Sequence, residues 1–464
     1  MSDQKTSKRP QWATNVGFVL AAAGSAIGLG NIWKFPGKAY EGGGGAFLLV
    51  YLGIVAVVGT TVMLAEFVIG RHTQKDNIGA YAQLRPKWKG WGVLGVVTAF
   101  IILCYYFQVG GWVVYYIGSY VFNSASIFAD PKLYFYNMLG LNGFPLMGAV
   151  ICPLIFIGLT VIVIIRGVEK GIENFNKIGM PALLVILIVL MVRAMTLPGA
   201  GKGIIYMLTP DFSKMTGETL LVALGQAFFS LSLGMSIMIT YGSYLKKEEN
   251  LAKNTWLICG ADTLVAFLAA FMIIPAVFAT GVEPGKGGSF AFVALAAVFQ
   301  KMPAGPLFGV LFYLLLGIAA ITSAMSLLEG AAAAVAEQLK WGRKKAALLM
   351  ALAMFVIGIF YTLSQLYMEN LKGIWLDING IKFPSLGDFM ENITDRLLIP
   401  INALTACILV GWIWGTKNGV AEVRQNGRFA FRLGGAWSVS VKFIAIAAIV
   451  IIIVFGLVFG KAIS

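Results

Sequence analysis

Residues 24–31 read GSAIGLGN and lie inside an apolar run from Val16 to Ile32. Glycine and a hydrogen-bonding amide are poor helix material in such a run, because hydrocarbon offers no partner to a freed peptide group. A helix opened there bares carbonyl oxygens, which suit a hard cation, and the positive N-terminal end of its second half, which suits a carboxylate. A similar mixture recurs in GQAFFSLSLGMS (225–236). Two more stretches carry oxygen at depth: Asp262 in TWLICGADTLVAF, and Thr322 and Ser323 in AAITSAMS (319–326). An acid inside a membrane is a functional candidate by default. Taken singly, the glycines also fit close helix packing, and Thr322 and Ser323 also fit bonds back to their own helix carbonyls. Two breaks in corresponding positions, with the amide of Asn31 added, favour a pocket for a cation and a carboxylate.

Enzyme chemistry has little to work with. It needs a nucleophile–base pair or a metal cluster, and the chain has one histidine, His72, beside Arg71 at the edge of an apolar run. We read His72 as an ordinary interfacial residue. Cys104, Cys152, Cys259 and Cys407 lie in apolar runs with no CxxC spacing, so neither a disulfide nor a zinc site is expected.

The elements that position these residues are membrane helices. The chain has 464 residues, is 59% hydrophobic and 12% charged, and its mean hydropathy is +0.83; soluble domains are roughly 25% charged. Apolar stretches of the length that crosses hydrocarbon recur at about 14–37, 46–71, 91–122, 145–165, 170–195, 218–243, 254–281, 305–340, 344–366, 388–415 and 438–460. The first has no small-residue cleavage site after it, so we read it as a retained helix and not a signal peptide. Basic residues gather in alternate loops, as in Lys5, Lys8 and Arg9, then Arg71 to Lys89, then Lys340 to Lys345. That is the positive-inside pattern. It explains the net charge of +14 without nucleic acid and predicts a multi-pass protein of the cell membrane, surrounded by lipid. The N-terminus is expected in the cytoplasm and the C-terminus outside. The longer connections, 123–144, 196–217, 282–304 and 367–387, then fall outside. Within them 289–300 is too short to span and reads as a re-entrant or lid helix, while GGGG at 42–45 reads as a flexible turn.

The second broken segment comes five spans after the first, so the second half enters from the opposite side. This predicts an all-α membrane protein of eleven helices with a 5+5 inverted repeat, helices 1 and 6 being discontinuous. The expected divisions are a cytoplasmic segment 1–13, a first repeat 14–200, a second repeat 201–415, and a loop with helix 11 at 416–464.

WATNVGFVLAAAGSAIGLGNIWKFP (12–36), GGGAFLLVY (43–51) and GQAFFSLSLG (225–234) closely resemble the first helix, the following loop and the sixth helix of neurotransmitter:sodium symporters. Among these the chain is most similar to bacterial members that carry hydrophobic and aromatic amino acids. The resemblance implies a leucine-transporter-like fold and sodium-coupled symport of an amino acid by alternating access. It implies a first sodium site from Ala26, Asn31, Ser230, Asp262 and the substrate carboxylate. A second would use Gly24, Ile27, Ala319, Thr322 and Ser323. The substrate's carboxylate would meet the N–H groups of Leu29 and Gly30 and the phenol of Tyr106. Its amine would meet carbonyls of Ala26, Phe229 and Ser230 and the hydroxyl of Ser232. Its side chain would lie among Ser25, Ile102, Phe229, Met235, Ser323, Ala324 and Leu327. Several of these are small and Met235 is adaptable, which favours an aromatic substrate, tyrosine first.

Chloride-dependent relatives place a serine where this chain has Ala266, while Tyr51, Gln226 and Ser230 of the matching anion site remain. We therefore expect transport without chloride, Asp262 supplying the counter-charge. Lys34 is expected to pair with Glu391, with Asp388 as competitor, in an outer gate. An inner gate would use Arg9 and Glu337 beside Trp12, Ser243 and Tyr244. Glu66 would accept backbone hydrogen bonds from the broken sixth helix. The alternatives on the same oxygen-rich breaks are proton-coupled exchange and a channel.

Overall fold

The computed structural model describes residues 9–282, 290–365, 377–378, 381–382 and 385–458. Nine helices in it are long and apolar enough to cross a membrane: Gly45–Thr73, Pro86–Phe122, Leu146–Ile165, Val168–Met195, Leu251–Thr280, Gly305–Gln338, Arg343–Ser364, Leu386–Ile413 and Gly434–Gly456. The pair Asn15–Ala26 and Gly30–Glu41, bent by 50° at its break, makes a tenth. We name these by their place in the chain. The sixth element is split into Gly217–Ser230 and Ile237–Gly242. Neither half is long enough to cross alone, so an eleventh span would have to be this broken element.

Local chemistry explains the ends. Thr14, Thr216 and Asn250 each cap a helix by accepting a backbone N–H within its first turn, as short polar side chains do. The first break follows from Ile27, whose backbone leaves the helical region at φ −72°, ψ 93°. In the second, Ser232, Gly234 and Ser236 all take positive φ, at 53°, 68° and 67°. Three left-handed residues in five cannot sit in a right-handed helix, so the segment is unwound. The third and eighth spans carry helices of 34 residues each that pack along one another beside both breaks.

GGGG at 42–45 is not the free turn expected from composition. Gly43 and Gly44 hold positive φ, and Gly44 bridges to Pro210. A side chain at Gly44 would overlap the Tyr206 carbonyl oxygen, so the glycines allow close backbone packing. The stretch 290–300 is helical, and its apolar side chains from Ala291 to Phe299 are mostly buried. Residues 283–289, and most of the 367–387 connection, lie outside the described residues; within the latter a short hairpin pairs Asp377 with Lys382 and Ile378 with Ile381.

Between the tenth and last spans, helix Thr416–Arg424 is fastened through Glu422. Arg71, fully buried, donates from Nε to Glu422 Oε1 at 2.8 Å and also bonds the Glu422 carbonyl. Lys247 Nζ stands 3.3 Å from the same Oε1. His72 Nδ1 lies 3.2 Å from Oε2 and its ring packs on Trp414, so His72 is a fastening residue and more than an interfacial one. Burial pushes the Glu422 carboxyl up, but the contacts to His72, Arg71 and Lys247 outweigh it and bring it down to about 2. A carboxyl lowered from roughly 4.3 stabilises the fold above that value and loses its contribution as pH falls towards 2. Glu422→Gln is therefore expected to lower the melting temperature at pH 7. The gap to wild type should shrink as scanning fluorimetry is repeated at falling pH; a gap independent of pH between 7 and 3 would refute the role.

Candidate functional site

Where the two breaks meet lies a small, closely lined pocket. Its lining includes Ser25, Ala26, Leu29, Gly30, Ile102, Tyr106, Phe229, Ser230, Ser232, Met235, Ser323 and Leu327. Gly28 and Ile237 also line it, and the sequence reading had not named them for the pocket. Ala324 does not. Ser323 and Leu327 lie four apart and so share one face of the eighth span, whereas Ala324 is a further 100° round the helix and is buried away from the pocket.

The carbonyl of Ser25 ties three elements together. It accepts from Ser232 Oγ at 2.9 Å and from Ser323 Oγ at 3.1 Å, joining the first break, the second break and the eighth span. The Tyr106 hydroxyl is buried with no partner among the described residues. It stands with Ser323 Oγ over Gly28. A buried donor left without an acceptor costs about 1–3 kcal/mol, so this phenol suits an acceptor that arrives in the pocket.

Asp262, fully buried, lies behind both breaks. Its carboxylate accepts from Asn31 Nδ2 at 2.7 Å and from Ser230 Oγ at 3.0 Å. Asn31 Oδ1 accepts the Gly28 N–H at 3.1 Å and keeps a second lone pair. Asn31, Ser230 and Asp262, three of the four residues expected at a first sodium site, thus converge, and each carries a side-chain oxygen. At the expected second site the picture is mixed. Thr322 Oγ1 bonds back to the Ala319 carbonyl at 2.9 Å, whereas Ser323 reaches across to Ser25. Gly24 and Ile27 lie in or beside the first break. Against Gly24 stands Asn176 Oδ1 of the fifth span, buried and without a partner among the described residues. Nothing in the sequence singled out Asn176, since polar residues at the start of a span are ordinary.

Of the expected anion-site residues, Tyr51 is buried with its hydroxyl unpartnered among the described residues. Gln226 donates to the Gly30 carbonyl at 3.1 Å and accepts from Lys38 Nζ at 2.8 Å. Glu66 Oε1 accepts the Gly234 N–H at 2.8 Å, at the centre of the second break.

Two ion pairs bracket the pocket. On one side Arg9 Nη1 meets Glu337 Oε2 at 2.6 Å, and its other nitrogens bond Ser243 Oγ at 2.7 and 3.0 Å. Trp12 donates to the Tyr241 and Tyr244 carbonyls, and the Arg9 guanidinium lies over the Tyr244 ring. Tyr244 continues to Glu329 at 2.6 Å, which Arg343 meets at 2.6 Å. The sequence reading missed this last pair, although an acid in the run SLLEGAAAA carries the same signal as Asp262. Asp76 donates its backbone N–H to Glu337. Burial and the nearby Glu337 carboxylate raise the Asp76 carboxyl to about 6, against hydrogen bonds from Gly79, Ile78 and Gln338.

On the other side, Lys34 lies over the Phe229 ring at 4.3 Å and pairs at 3.2 Å with Asp395, not with Glu391. Glu391 is engaged by the Tyr361 hydroxyl at 2.7 Å, and Asp388 by Ser385 at 2.6 Å. Asp395 is one helical turn beyond Glu391, and a wide turn over Thr394–Leu398 shifts the facing register there.

Comparison with known proteins places the chain in a family. The profile of the sodium:neurotransmitter symporter family matches residues 9–127 and 120–463. An uncharacterised sodium-dependent transporter of Bacillus subtilis is 36% identical over 97% of this chain and 98% of its own. A sodium- and chloride-dependent taurine transporter of Rattus norvegicus is 28% identical over 71% of this chain and 60% of its own. The crystal structure of MhsT in complex with L-phenylalanine superposes with a TM-score of 0.85 at 37% identity, covering 97% of this chain and all of that one. The chain is a multi-pass membrane transporter, not an enzyme, and it belongs to the sodium:neurotransmitter symporter family.

Proposed function

We propose that the protein carries an aromatic or hydrophobic amino acid, tyrosine first, together with sodium, by alternating access to the pocket between its two broken helices. The observation that carries this reading is the convergence of Asn31, Ser230 and Asp262 behind a pocket in which, among the described residues, the Tyr106 phenol is the one buried lining side-chain group without a partner. A carboxylate placed on that phenol, and on the N–H groups of Leu29 and Gly30, would also be within reach of a cation held by Asn31, Ser230 and Asp262. Substrate and cation would then each complete the other's site, which couples their binding. Gly24, Ile27, Ala319, Thr322 and Ser323 are the proposed seat of a second sodium. The L-phenylalanine bound by MhsT supports an aromatic cargo.

Asp262 is proposed to make chloride unnecessary, since Ala266 offers an anion no ligand and an acid already supplies the negative charge. The basic ends of the spans are proposed to face the cytoplasm, with 14–200 and 201–415 as the inverted halves. In that setting Arg9–Glu337 closes the inner path and Lys34–Asp395 the outer one. Purified protein in proteoliposomes tests the whole reading. We expect saturable uptake of labelled tyrosine under an inward sodium gradient, lost when that gradient is dissipated and unchanged when gluconate replaces chloride. Uptake that survives loss of the sodium gradient, or that needs chloride, would overturn the corresponding part.

The outer gate gives a separate prediction. Lys34 and Asp395 are only 17% and 9% exposed, and truncating one member of a desolvated pair chiefly speeds release. Asp395→Asn should raise the dissociation rate of bound substrate about tenfold in a filter assay, with Glu391→Gln changing it far less. Equal effects of the two would restore Glu391 as the partner.

A further inference from the structure

A second groove, of about 210 Å³, opens away from the transport pocket between the second span, the start of the seventh and the 431–444 segment. Its hydroxyls are spent on the protein. Thr60 and Thr61 bond the Ala56 and Val57 carbonyls at 2.6 Å, Ser440 lies 2.8 Å from Thr61, and Thr255 bonds the Leu251 carbonyl at 2.9 Å. The Trp437 indole donates to the Thr61 carbonyl. What faces the groove is therefore hydrocarbon, and it suits a hydrocarbon occupant. Of the two indoles lining the groove, that of Trp256 has no hydrogen bond among the described residues; it is 48% exposed and Ile444 44%, so the groove opens sideways from the helix bundle.

Basic residues adjoin the lining of this groove in the chain. Lys253 follows the lining residue Ala252, and Arg432 stands between the lining residues Phe431 and Leu433. Both are exposed, and neither has an ion pair among the described residues. The flanking stretches 246–253 and 424–432 hold six basic residues against two acids. A greasy slot flanked in the chain by exposed cations without an ion pair among the described residues is complementary to one ligand class, a molecule with an alkyl tail and a negative head. We propose that the groove seats an acyl chain of an anionic diacyl phospholipid, its phosphate held by Lys253 and Arg432. This binding does not depend on the transported substrate, and its test uses no transport assay.

Tryptophan quenching reads it directly, because Trp256 and Trp437 line the groove. The purified transporter in micelles would be titrated with phosphatidylglycerol or phosphatidylcholine carrying the same brominated chains. The Trp256→Phe/Trp437→Phe variant defines the groove's share of the emission. In the wild type, phosphatidylglycerol should quench that share at roughly tenfold lower mole fraction than phosphatidylcholine. Lys253→Gln/Arg432→Gln should bring the two curves together. Lys344→Gln/Lys345→Gln, in another basic loop, should leave them apart. Ala436→Phe, which fills the slot, should abolish quenching by either lipid. Superimposed curves in the wild type would overturn the proposal, whatever the folding of the variants, and so would a Lys253/Arg432 variant that behaves as wild type.

Discussion

Asp262→Ala is expected to abolish sodium-dependent binding and uptake, raising the half-saturating sodium concentration at least about a hundredfold. The carboxylate is the acceptor for both Asn31 and Ser230, and it is the acid placed at the proposed cation seat. Burying a cation without a counter-charge costs several kcal/mol, and each 1.4 kcal/mol is a factor of ten. Asp262→Asn separates the two roles, since it keeps an oxygen for ligation and removes the charge. We expect an intermediate rise, about tenfold, together with a new stimulation by chloride, because Tyr51, Gln226 and Ser230 remain in place. Sodium titrations of substrate binding, run in chloride and in gluconate, measure both effects. An alanine variant with wild-type sodium dependence would remove Asp262 from the mechanism.

The second large effect is structural. Gly234 sits at φ +68°, donates its N–H to Glu66, and lies so close to the tenth span that a side chain would overlap the Ile399 carbonyl oxygen. Alanine in the left-handed region costs about 1–2 kcal/mol, and an overlap with backbone cannot be relieved by a rotamer change. Gly234→Ala should therefore displace the second break, lower the melting temperature by several degrees and reduce substrate affinity more than tenfold. Glu66→Gln, which retains an acceptor for that N–H, should stay close to wild type in affinity. Thermal unfolding followed by fluorescence, with binding measured on the same preparation, tests the pair. A Gly234→Ala protein of unchanged stability and affinity would mean that the break tolerates a wider opening than its packing suggests.

Much of the site was legible because membranes punish irregularity. GSAIGLGN and GQAFFSLSLGMS stand out only because peptide groups freed in hydrocarbon need a reason, and the same logic exposed Asp262. Span positions were legible from hydropathy, since the apolar length is set by the bilayer. Glu329 could have been found in the same way and was passed over in favour of Glu337, which lies two turns later on the same helix.

What the sequence by itself determined was the class of chemistry: oxygen-rich breaks in two corresponding spans, an intramembrane acid and basic residues in alternate loops. Partner choice was decided by tertiary structure. Lys34 meets Asp395 because a wide turn in the tenth span changes which acid faces it, and Glu391 and Asp388 are taken by Tyr361 and Ser385. Ser323 bonds the Ser25 carbonyl while Thr322 bonds its own helix, although the two are neighbours in the chain. Residue type records what a group is able to bind, whereas helix rotation and register settle which group it meets, and they depend on the packing of every other span.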